Sequence, residues 1–224
     1  MPGCCSPYHG AAERQFDETK VAQEVKKYQD HGLGPTTRLL EEEIAQSGVS
    51  IGTVLDIGSG IGTLALALLD RGATSAVTVD ASSAYVKAAR AEAHRRGRTD
   101  AIRFVLGDFV ALADQLAPAS VVTLDRVVCC YPSYEPLLER AVACAERAFA
   151  LSYPRGVWYV RLAFMAENVQ RRLTRNPFRT FVHPPARLER VIRHAGFALA
   201  SRRKTWMWSI DVYTRPASSD GAVG

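Results

Sequence analysis

Short apolar runs alternate with amphipathic stretches through the middle of this chain. The amphipathic stretches repeat with the period of a helix, and the short runs are rich in the β-branched residues that favour strands. Because strands that alternate with helices form parallel sheets with right-handed crossovers, the pattern predicts an α/β fold. The predicted strands are 52–57, 76–80, 102–106, 120–125 and 149–153, and the predicted helices between them are 61–71, 83–96, 110–116 and 134–148.

The pattern before the first strand is different. Residues 13–30 predict an amphipathic helix, and the motif His31-Gly32-Leu33-Gly34-Pro35 ends it before a second helix begins. The stripe of the first helix comprises Phe16, Val21, Val25 and Tyr28. A helix in this place has no role in a strand-helix-strand unit, so residues 1–48 are predicted to form N-terminal lid helices.

After the alternating region, residues 157–173 predict another amphipathic helix within an inserted cap that spans 156–185. Its apolar side comprises Trp158, Leu162, Met165, Val169 and Leu173. A helix over 186–195 and strands over 197–203 and 206–214 then close the main domain, which is predicted to span 49–215. The polar, glycine-containing residues 216–224 are predicted to be a disordered tail.

The turn after the first strand carries the clearest chemical signal. The strand includes Asp56, and the turn comprises Gly58, Ser59, Gly60 and Gly62. Eighteen residues past Gly62, the second strand ends in Asp80. Glycines at such a turn let the main chain approach a nucleotide, and the acid can hold a ribose. The sequence therefore predicts a nucleoside cofactor.

The spacing of the glycines distinguishes between nucleoside cofactors. Dinucleotide sites use Gly-x-Gly-x-x-Gly, but here the third glycine comes one residue early and Thr63 takes its place. Gly-x-Gly-x-Gly after Leu55-Asp56 resembles motif I of the class I S-adenosylmethionine-dependent methyltransferases. This resemblance implies S-adenosyl-L-methionine as the cofactor, and a Rossmann-type dehydrogenase is the alternative.

Two later segments extend the resemblance. Leu106-Gly107-Asp108-Phe109 is similar to the adenine-site segment of the family, and Val121-Val122-Thr123-Leu124-Asp125 resembles motif IV. The family implies a Rossmann-like, seven-stranded, mostly parallel sheet with a C-terminal antiparallel hairpin. It implies that Asp80 binds the ribose hydroxyls, that Asp56 orders the turn and helps hold the cofactor amino group, and that Asp108 and Phe109 frame the adenine. The complete implied cofactor set is Asp56, Gly58, Ser59, Gly60, Gly62, Asp80, Ala81, Asp108, Phe109, Asp125 and Arg126.

A narrower resemblance covers most of residues 16–214. The segments 124–132, 151–154, 158–159 and 181–183 are similar to those of the magnesium-protoporphyrin O-methyltransferases, although this chain has Cys130 where those enzymes carry a histidine. The resemblance implies methyl transfer to a small-molecule acceptor, through O-methylation of a hydroxyl or a carboxylate. The alternatives are an RNA or protein methyltransferase and a non-catalytic protein that binds S-adenosylmethionine.

A hydroxyl acceptor must lose a proton when it attacks the methyl group. Histidine has an ordinary pKa of about 6.5, which suits this task near neutral pH. His183, in the loop before Pro184-Pro185, is therefore our candidate general base. Tyr131 and Tyr28 are the weaker catalytic candidates, because tyrosine needs a lowered pKa.

The net charge of +5 comes from an excess of arginine. Arginine clusters can form a solvated face, bind an anionic small molecule or bind nucleic acid. The clusters here are scattered through separate elements, for example around 95–98, 171–179 and 202–204, so no nucleic-acid partner is expected.

The five cysteines include two adjacent pairs, Cys4-Cys5 and Cys129-Cys130. Adjacent cysteines lack the two-residue spacer of common zinc sites, so no metal is expected, and the odd number indicates thiols. No apolar run approaches the roughly 20 residues of a membrane span, and residues 1–5 lack a hydrophobic signal segment. The chain is therefore expected to be cytoplasmic.

Overall fold

The computed structural model describes residues 7–216 as a sheet with helices on both faces. The helices are α1 (Pro7–Gln15), α2 (Glu18–His31), α3 (Pro35–Gln46), α4 (Thr63–Asp70), α5 (Ser83–Arg95), α6 (Phe109–Leu112), α7 (Tyr134–Ala143), α8 (Trp158–Leu173) and α9 (Pro185–His194). The strands are β1 (Thr53–Ile57), β2 (Ser75–Asp80), β3 (Ile102–Leu106), β4 (Ala119–Asp125), β5 (Ala145–Pro154), β6 (Ala198–Lys204) and β7 (Trp208–Thr214).

The seven strands form one sheet in the order β3-β2-β1-β4-β5-β7-β6. β1 to β5 pair in parallel, whereas β7 runs antiparallel to both β5 and β6. The strand order reverses direction at β1 and β4, whose carboxyl ends lie side by side. A parallel sheet leaves a crevice for ligands at such a point. The predicted Rossmann-like fold with a C-terminal hairpin is confirmed.

Side chains that alternate along the strands build one apolar core on each face of the sheet. Leu55 and Val122 pack with residues of α7 and α9 such as Leu138. Val54 and Val121 pack on the other face with α3 and α4, where Leu40 and Leu66 are buried. Both faces of the parallel strands are thus covered, as their nearly continuous apolar sequences require.

Two predicted helix boundaries are wrong. The helix predicted over 13–30 is interrupted after Gln15, because the Asp17 side chain accepts a hydrogen bond from Lys20 N at 2.9 Å and caps α2. The helix predicted over 134–148 ends at Ala143, because residues from Ala145 onward pair with β4 and extend β5.

The apolar side of α8 points in an unexpected direction. Val160 and Phe164 are the buried residues of this helix, whereas the predicted stripe from Trp158 to Leu173 is exposed. Between residues 7 and 216, no helix is long and apolar enough to cross a bilayer. Cys4, Cys5 and nearly all of the predicted tail lie outside the described residues.

Candidate functional site

The turn between β1 and α4 depends on glycine. Gly58, Gly60 and Gly62 have φ values of 64°, 54° and 76°, in the left-handed region that disfavours side chains. A Cβ atom on Gly58 would lie 2.5 Å from Cγ2 of Val127, so the turn is also pressed against the chain that leaves β4. Gly58 N donates a hydrogen bond to the Val79 carbonyl at 2.7 Å, which fixes the turn to β2.

Asp80 connects this turn to the start of α5. Its Oδ2 accepts a hydrogen bond from Gly60 N at 2.8 Å, and its Oδ1 accepts one from Ser82 N at 2.9 Å. Burial raises the pKa of the Asp80 carboxyl to about 7, although these two N–H groups act in the opposite direction. The carboxyl thus lies at the carboxyl end of β2, between the glycine turn and a helix N-terminus.

Asp56 is a buried acid with one unused oxygen. Its Oδ1 accepts a hydrogen bond from Thr123 Oγ1 at 2.7 Å, whereas its Oδ2 is buried and has no partner among the described residues. Burial raises the pKa of this carboxyl to about 7, with further contributions from the charges of Asp125 and Asp80. Buried polar atoms are rarely left without a partner. Because Asp56 lines the cleft described below, its Oδ2 fits a donor such as an ammonium group.

The end of β4 forms a second polar cluster. Asp125 accepts hydrogen bonds from Thr37 Oγ1 and Ser152 Oγ, both at 2.5 Å, so α3 and β5 hold its carboxyl. Arg126 follows in the left-handed region, with φ 61°, and its N donates to Ser152 Oγ at 2.8 Å. Its Nε lies 3.6 Å from Asp125 Oδ1. This backbone conformation is uncommon for a residue other than glycine, and such conformations cluster at functional sites.

A cleft of about 590 Å³ connects these groups. It extends from the glycine turn and the ends of β2 and β4 to the inner face of α8. From the implied cofactor set and the catalytic candidates, the residues that line it are Asp56, Gly58, Ser59, Gly60, Asp80, Ala81, Phe109, Asp125, Arg126 and Tyr131. The structure therefore brings together most of the residues selected from the sequence.

Two of the implied cofactor residues support the cleft without lining it. Gly62 lies beneath the turn as the N-cap of α4. Asp108 caps α6 by accepting a hydrogen bond from Val110 N at 3.0 Å, and its Oδ1 also accepts one from Tyr131 Oη at 2.8 Å. Its neighbours Gly107 and Phe109 line the cleft instead.

Two of the three catalytic candidates lie away from the cleft. His183 Nε2 lies 2.9 Å from the Tyr131 carbonyl, and its ring packs against Tyr134 at a centroid distance of 4.6 Å. Burial lowers the pKa of His183, which favours the neutral ring. Tyr28 Oη accepts a hydrogen bond from Arg96 at 2.7 Å, and its ring packs between α2 and α5. The catalytic roles of these residues stay predictions, and Tyr131 is the one candidate of the three that borders the cleft.

The structure adds residues that the sequence did not indicate. Glu24 lines the cleft, and its Oε2 accepts a hydrogen bond from Tyr85 Oη at 2.6 Å. Burial and the nearby Glu24 carboxylate raise the pKa of Tyr85, so this phenol stays protonated. Neither residue belongs to a recognisable motif, although Glu24, three residues after Val21 and four before Tyr28, borders the apolar stripe of the predicted lid helix.

Cys129 and Cys130 also border the cleft, with their sulfur atoms 3.9 Å apart. Cys129 is buried, and the neighbouring Cys130 thiol and burial both raise its pKa. Both sulfur atoms lie near the Arg126 carbonyl, at 3.3 and 3.6 Å. They thus form a small part of the wall, in which the Cys129 thiol stays protonated.

Comparison with known proteins agrees with this geometry. Residues 54–150 match a family described as a methyltransferase domain. The ribosomal protein L11 methyltransferase of Haemophilus influenzae is 38% identical over 77 residues, which are 34% of this chain. The aligned part spans only 26% of that protein.

Two solved structures share the fold over nearly the whole chain. Magnesium protoporphyrin IX methyltransferase from Synechocystis PCC 6803, with bound S-adenosylhomocysteine, is 19% identical with a TM-score of 0.68. That match covers 93% of this chain and 99% of the other. An O-methyltransferase family protein from Burkholderia thailandensis is 17% identical with a TM-score of 0.69, over 87% of this chain and 58% of the other. The glycine turn, the fold and the matched segment agree in indicating an S-adenosyl-L-methionine-dependent methyltransferase.

Proposed function

We propose that this enzyme methylates an oxygen atom of a small-molecule acceptor. The observation that carries the proposal is the continuous cleft, which has the glycine turn and buried acids at one end and Arg126 and the inner face of α8 at the other. Such a cleft accommodates a nucleoside cofactor and a second, smaller molecule in contact with each other. Similarity to an O-methyltransferase family protein supports oxygen as the acceptor atom.

We assign the glycine end to the cofactor. Asp80 would accept hydrogen bonds from the ribose hydroxyls, and the unused Oδ2 of Asp56 would accept one from the ammonium group. Gly58 and Gly60 allow close approach of the main chain, and Phe109 offers an apolar surface to the adenine. When bound, S-adenosyl-L-methionine supplies an electrophilic methyl group that carries its own leaving group.

At the acceptor end, residues must hold the attacking oxygen in line with the methyl group and exclude water. From residue 10 to residue 216, no histidine lines the cleft. Arg126 and Arg171 line it on the side of β4 and α8. Each of these arginines also faces an acid that lines the cleft, Asp125 beside Arg126 and Glu167 beside Arg171, so our choice of acceptor rests on the missing base.

A carboxylate is already ionised at neutral pH and needs no general base. A carboxylate is therefore the acceptor group that we favour. If the group is a hydroxyl, Tyr131 is the one catalytic candidate that borders the cleft, and its hydroxyl would first have to leave Asp108.

We further propose that, of the predicted lid residues 1–48, α1 and α2 form a lid over this site, whereas α3 belongs to the core, where Leu40 and Ile44 are buried. Ala12, Gln15, Phe16 and Glu24 line the cleft from the N-terminal side. The Glu13 carboxylate accepts hydrogen bonds from Ser83 N at 2.8 Å and Ser83 Oγ at 3.0 Å, next to Asp80 in the chain. On the opposite side of the cleft, Asn176 Nδ2 donates to Gln15 Oε1 at 2.8 Å. These contacts support a segment that excludes water when both ligands are bound.

Methylation of a protein is a second candidate function. It is favoured by the identity of 38% with the ribosomal protein L11 methyltransferase over 77 residues. The enclosed part of the cleft, with N-terminal and cap residues on opposite sides, favours a small acceptor instead.

The test combines a binding measurement with product identification. Calorimetry should show binding of S-adenosylhomocysteine and none of NAD. Extract that is separated into small molecules and proteins should then be incubated with the enzyme and methyl-labelled S-adenosylmethionine. We expect label in the small-molecule fraction, and label that mild alkali releases as methanol would identify a methyl ester. Label confined to the protein fraction would make protein methylation the favoured function. NAD binding as tight as that of S-adenosylhomocysteine would contradict the cofactor assignment.

A further inference from the structure

The outer face of α8 is an apolar surface with no covering in the described part of the chain. Its residues, which we call the outer stripe, are Trp158, Leu162, Met165, Val169 and Leu173, with exposed fractions of 75%, 51%, 58%, 53% and 80%. They follow each other at intervals of three or four residues and therefore share one helix face over roughly 22 Å. Exposed apolar stripes of this length mark interaction sites.

An aromatic group extends the outer stripe at its N-terminal end. Trp206, in the turn between β6 and β7, is 69% exposed and stacks on Tyr159 at a centroid distance of 6.5 Å. Tyr159 Oη donates a hydrogen bond to the Trp206 carbonyl at 2.9 Å, and Trp158 packs edge-on against the same ring. Arg155 donates to the Thr205 carbonyl at 3.1 Å and ties the turn to the start of α8. Tryptophan and tyrosine in such positions are typical of membrane–water interfaces.

The surface around the outer stripe is strongly basic. Residues 155–182 contain six arginines and a single acid, Glu167, so this segment alone accounts for the net charge of +5 of the whole chain. Glu167 forms an ion pair with Arg171. The other five arginines, Arg155, Arg161, Arg172, Arg175 and Arg179, form no ion pair with an acid within residues 7–216. Their charge is therefore available to an anionic partner.

A groove of about 390 Å³ lies between α8 and the segment 179–182. Phe164, Met165 and Val182 contribute apolar walls to it, and Arg161, Arg172 and Arg179 contribute positive charge. Apolar walls beside several guanidinium groups suit a ligand that is apolar at one end and anionic at the other. A lipid with an acidic headgroup has this chemistry.

We propose that the outer stripe and its arginines bind the surface of an anionic lipid bilayer, with α8 lying in the plane of the interface. An amphipathic helix with aromatic and aliphatic residues on one face and arginines beside them binds membranes through buried apolar area and attraction to acidic lipids. A second copy of the chain is a poorer occupant, because a two-fold contact would bring two sets of unpaired arginines together. Nucleic acid is also a poorer occupant, because Trp158 and Trp206 are the exposed aromatic rings at one end of the surface, whereas Leu162, Met165, Val169 and Leu173 along the rest of it offer no stacking surface.

Binding in this manner would place the cap against the bilayer. The inner face of α8 contributes Ala163, Phe164, Glu167 and Arg171 to the cleft, so the same helix would face lipid on one side and ligand on the other. An amphiphilic acceptor could then reach the enzyme from the membrane. This last consequence rests on the proposed function, whereas lipid binding itself does not.

The chain contains its own probe for this proposal. Two of its three tryptophans, Trp158 and Trp206, belong to the exposed surface. We expect the full chain to sediment with vesicles of phosphatidylcholine and phosphatidylglycerol, with a blue shift of tryptophan emission, and to remain in solution with vesicles of phosphatidylcholine alone. Raising the salt concentration should weaken the binding.

Two double variants separate the apolar and the electrostatic contributions. Leu162→Ser/Val169→Ser and Arg172→Glu/Arg175→Glu should each weaken vesicle binding by roughly tenfold or more. Arg103→Glu/Arg190→Glu is the charge-matched control, because both arginines are exposed and lie outside the cap, and it should bind vesicles at least half as well as the parent chain. All three variants should keep the parent affinity for S-adenosylhomocysteine, which confirms that they fold.

Several outcomes would overturn the proposal. One is that the parent chain does not bind acidic vesicles, and another is that it binds neutral vesicles equally well. A third is that Arg103→Glu/Arg190→Glu weakens vesicle binding as much as Arg172→Glu/Arg175→Glu does. A concentration-dependent dimer that Leu162→Ser/Val169→Ser dissociates would assign the outer stripe to a second copy instead. Each result leaves the cofactor assignment intact, because S-adenosylhomocysteine binding is measured separately.

Discussion

The two ends of the cleft are held by different kinds of contact. At the glycine end, main-chain N–H groups of the turn donate the hydrogen bonds. Gly58 N donates to the Val79 carbonyl at 2.7 Å, and Gly60 N donates to the Asp80 side chain at 2.8 Å. At the cap end, side chains from distant parts of the sequence meet. Asn176 and Gln15, which form a hydrogen bond at 2.8 Å, lie 161 positions apart.

Arginines outside the cleft also differ between the two regions, in whether they pair with an acid. Near α4 and α5, Arg96 and Arg98 both pair with Asp70, at 2.5 and 3.1 Å. On the cap, five of six arginines lack an acidic partner within the described chain. A site built from main chain tolerates little change. A site built from side chains can change its ligand through single substitutions, which suits one fixed cofactor beside a variable acceptor.

The largest effect is expected from the glycine turn. Gly58→Ala places a Cβ atom 2.5 Å from Val127 Cγ2 at φ 64°. We expect it to lower the free energy of unfolding by about 2 to 5 kcal/mol, and to weaken S-adenosylhomocysteine binding by roughly a hundredfold or more. Urea denaturation and calorimetry would measure the two effects.

Gly48→Ala is the matched control, because Gly48 has φ 75° but no atom within 4 Å of an added Cβ. It should lower the free energy of unfolding by about 1 to 2 kcal/mol and leave the affinity for S-adenosylhomocysteine unchanged. All three close contacts at Gly58 involve Val127, so Gly58→Ala/Val127→Ala should recover part of the binding. If Gly48→Ala and Gly58→Ala lowered the free energy of unfolding equally, backbone conformation, and not the contact with Val127, would explain the requirement for glycine.

The next effect concerns Asp80. A hydrogen bond to a charged group contributes about 1.5 to 3 kcal/mol, so Asp80→Asn should weaken S-adenosylhomocysteine binding by roughly ten- to a hundredfold. Asp108→Asn is the comparison, since Asp108 also follows a strand but caps α6 and does not line the cleft. It should weaken binding by less than about threefold. If Asp108→Asn lowered the affinity for S-adenosylhomocysteine more than Asp80→Asn did, the cofactor contact would be assigned to the end of β3.

A smaller effect is expected at Asp56, where a substitution should raise the stability of the folded chain at high pH and not lower it. The pKa of this carboxyl is about 7 in the folded chain and 3.8 when exposed. Between these values the folded state binds more protons than the unfolded state, so the contribution of Asp56 lowers stability as pH rises from about 4 to 7. Asp56→Asn should therefore gain stability relative to the parent chain at pH 8 but not at pH 4, while its S-adenosylhomocysteine affinity falls.

Urea denaturation of both proteins at several pH values would measure this difference. Asp100→Asn removes an exposed carboxylate and should leave the pH dependence unchanged. If Asp56→Asn destabilised the chain equally at pH 4 and pH 8, the loss of its bond to Thr123 would outweigh the relief of a buried charge.

The smallest effect is expected at His183. Since its Nε2 contacts the Tyr131 carbonyl at 2.9 Å outside the cleft, His183→Ala should lower turnover by less than about tenfold, without removing a limb of the pH profile. Tyr131→Phe, which removes the hydrogen bond from a cleft residue to Asp108, should have the larger effect. A drop of about a hundredfold or more in His183→Ala, with loss of the acid limb, would instead support the predicted general base.

The cofactor end was predictable because its contacts arise between residues close in sequence or at strand ends. Asp56, the glycines and Asp80 follow from one strand-turn-helix-strand unit. The contribution of Glu24 to the cleft and the contact of Thr37 with Asp125 depend on how the N-terminal helices pack, and no local pattern encodes that packing. The period of α8 correctly indicated an amphipathic helix. It could not indicate which side is buried, since Val160 and Phe164 pack against Cys129 in the interior while the more extensive apolar side is exposed.

The meeting of the N-terminal segment and the cap has a kinetic consequence. Besides the bond between Gln15 and Asn176, the rings of Phe16 and Phe178 pack edge-on at 5.3 Å. These pairs join the two sides of the cleft mouth without a covalent bond. A large ligand must separate them to leave, so its residence time depends on how often this gate opens. Substitutions at these pairs should therefore change dissociation rates more than equilibrium affinities.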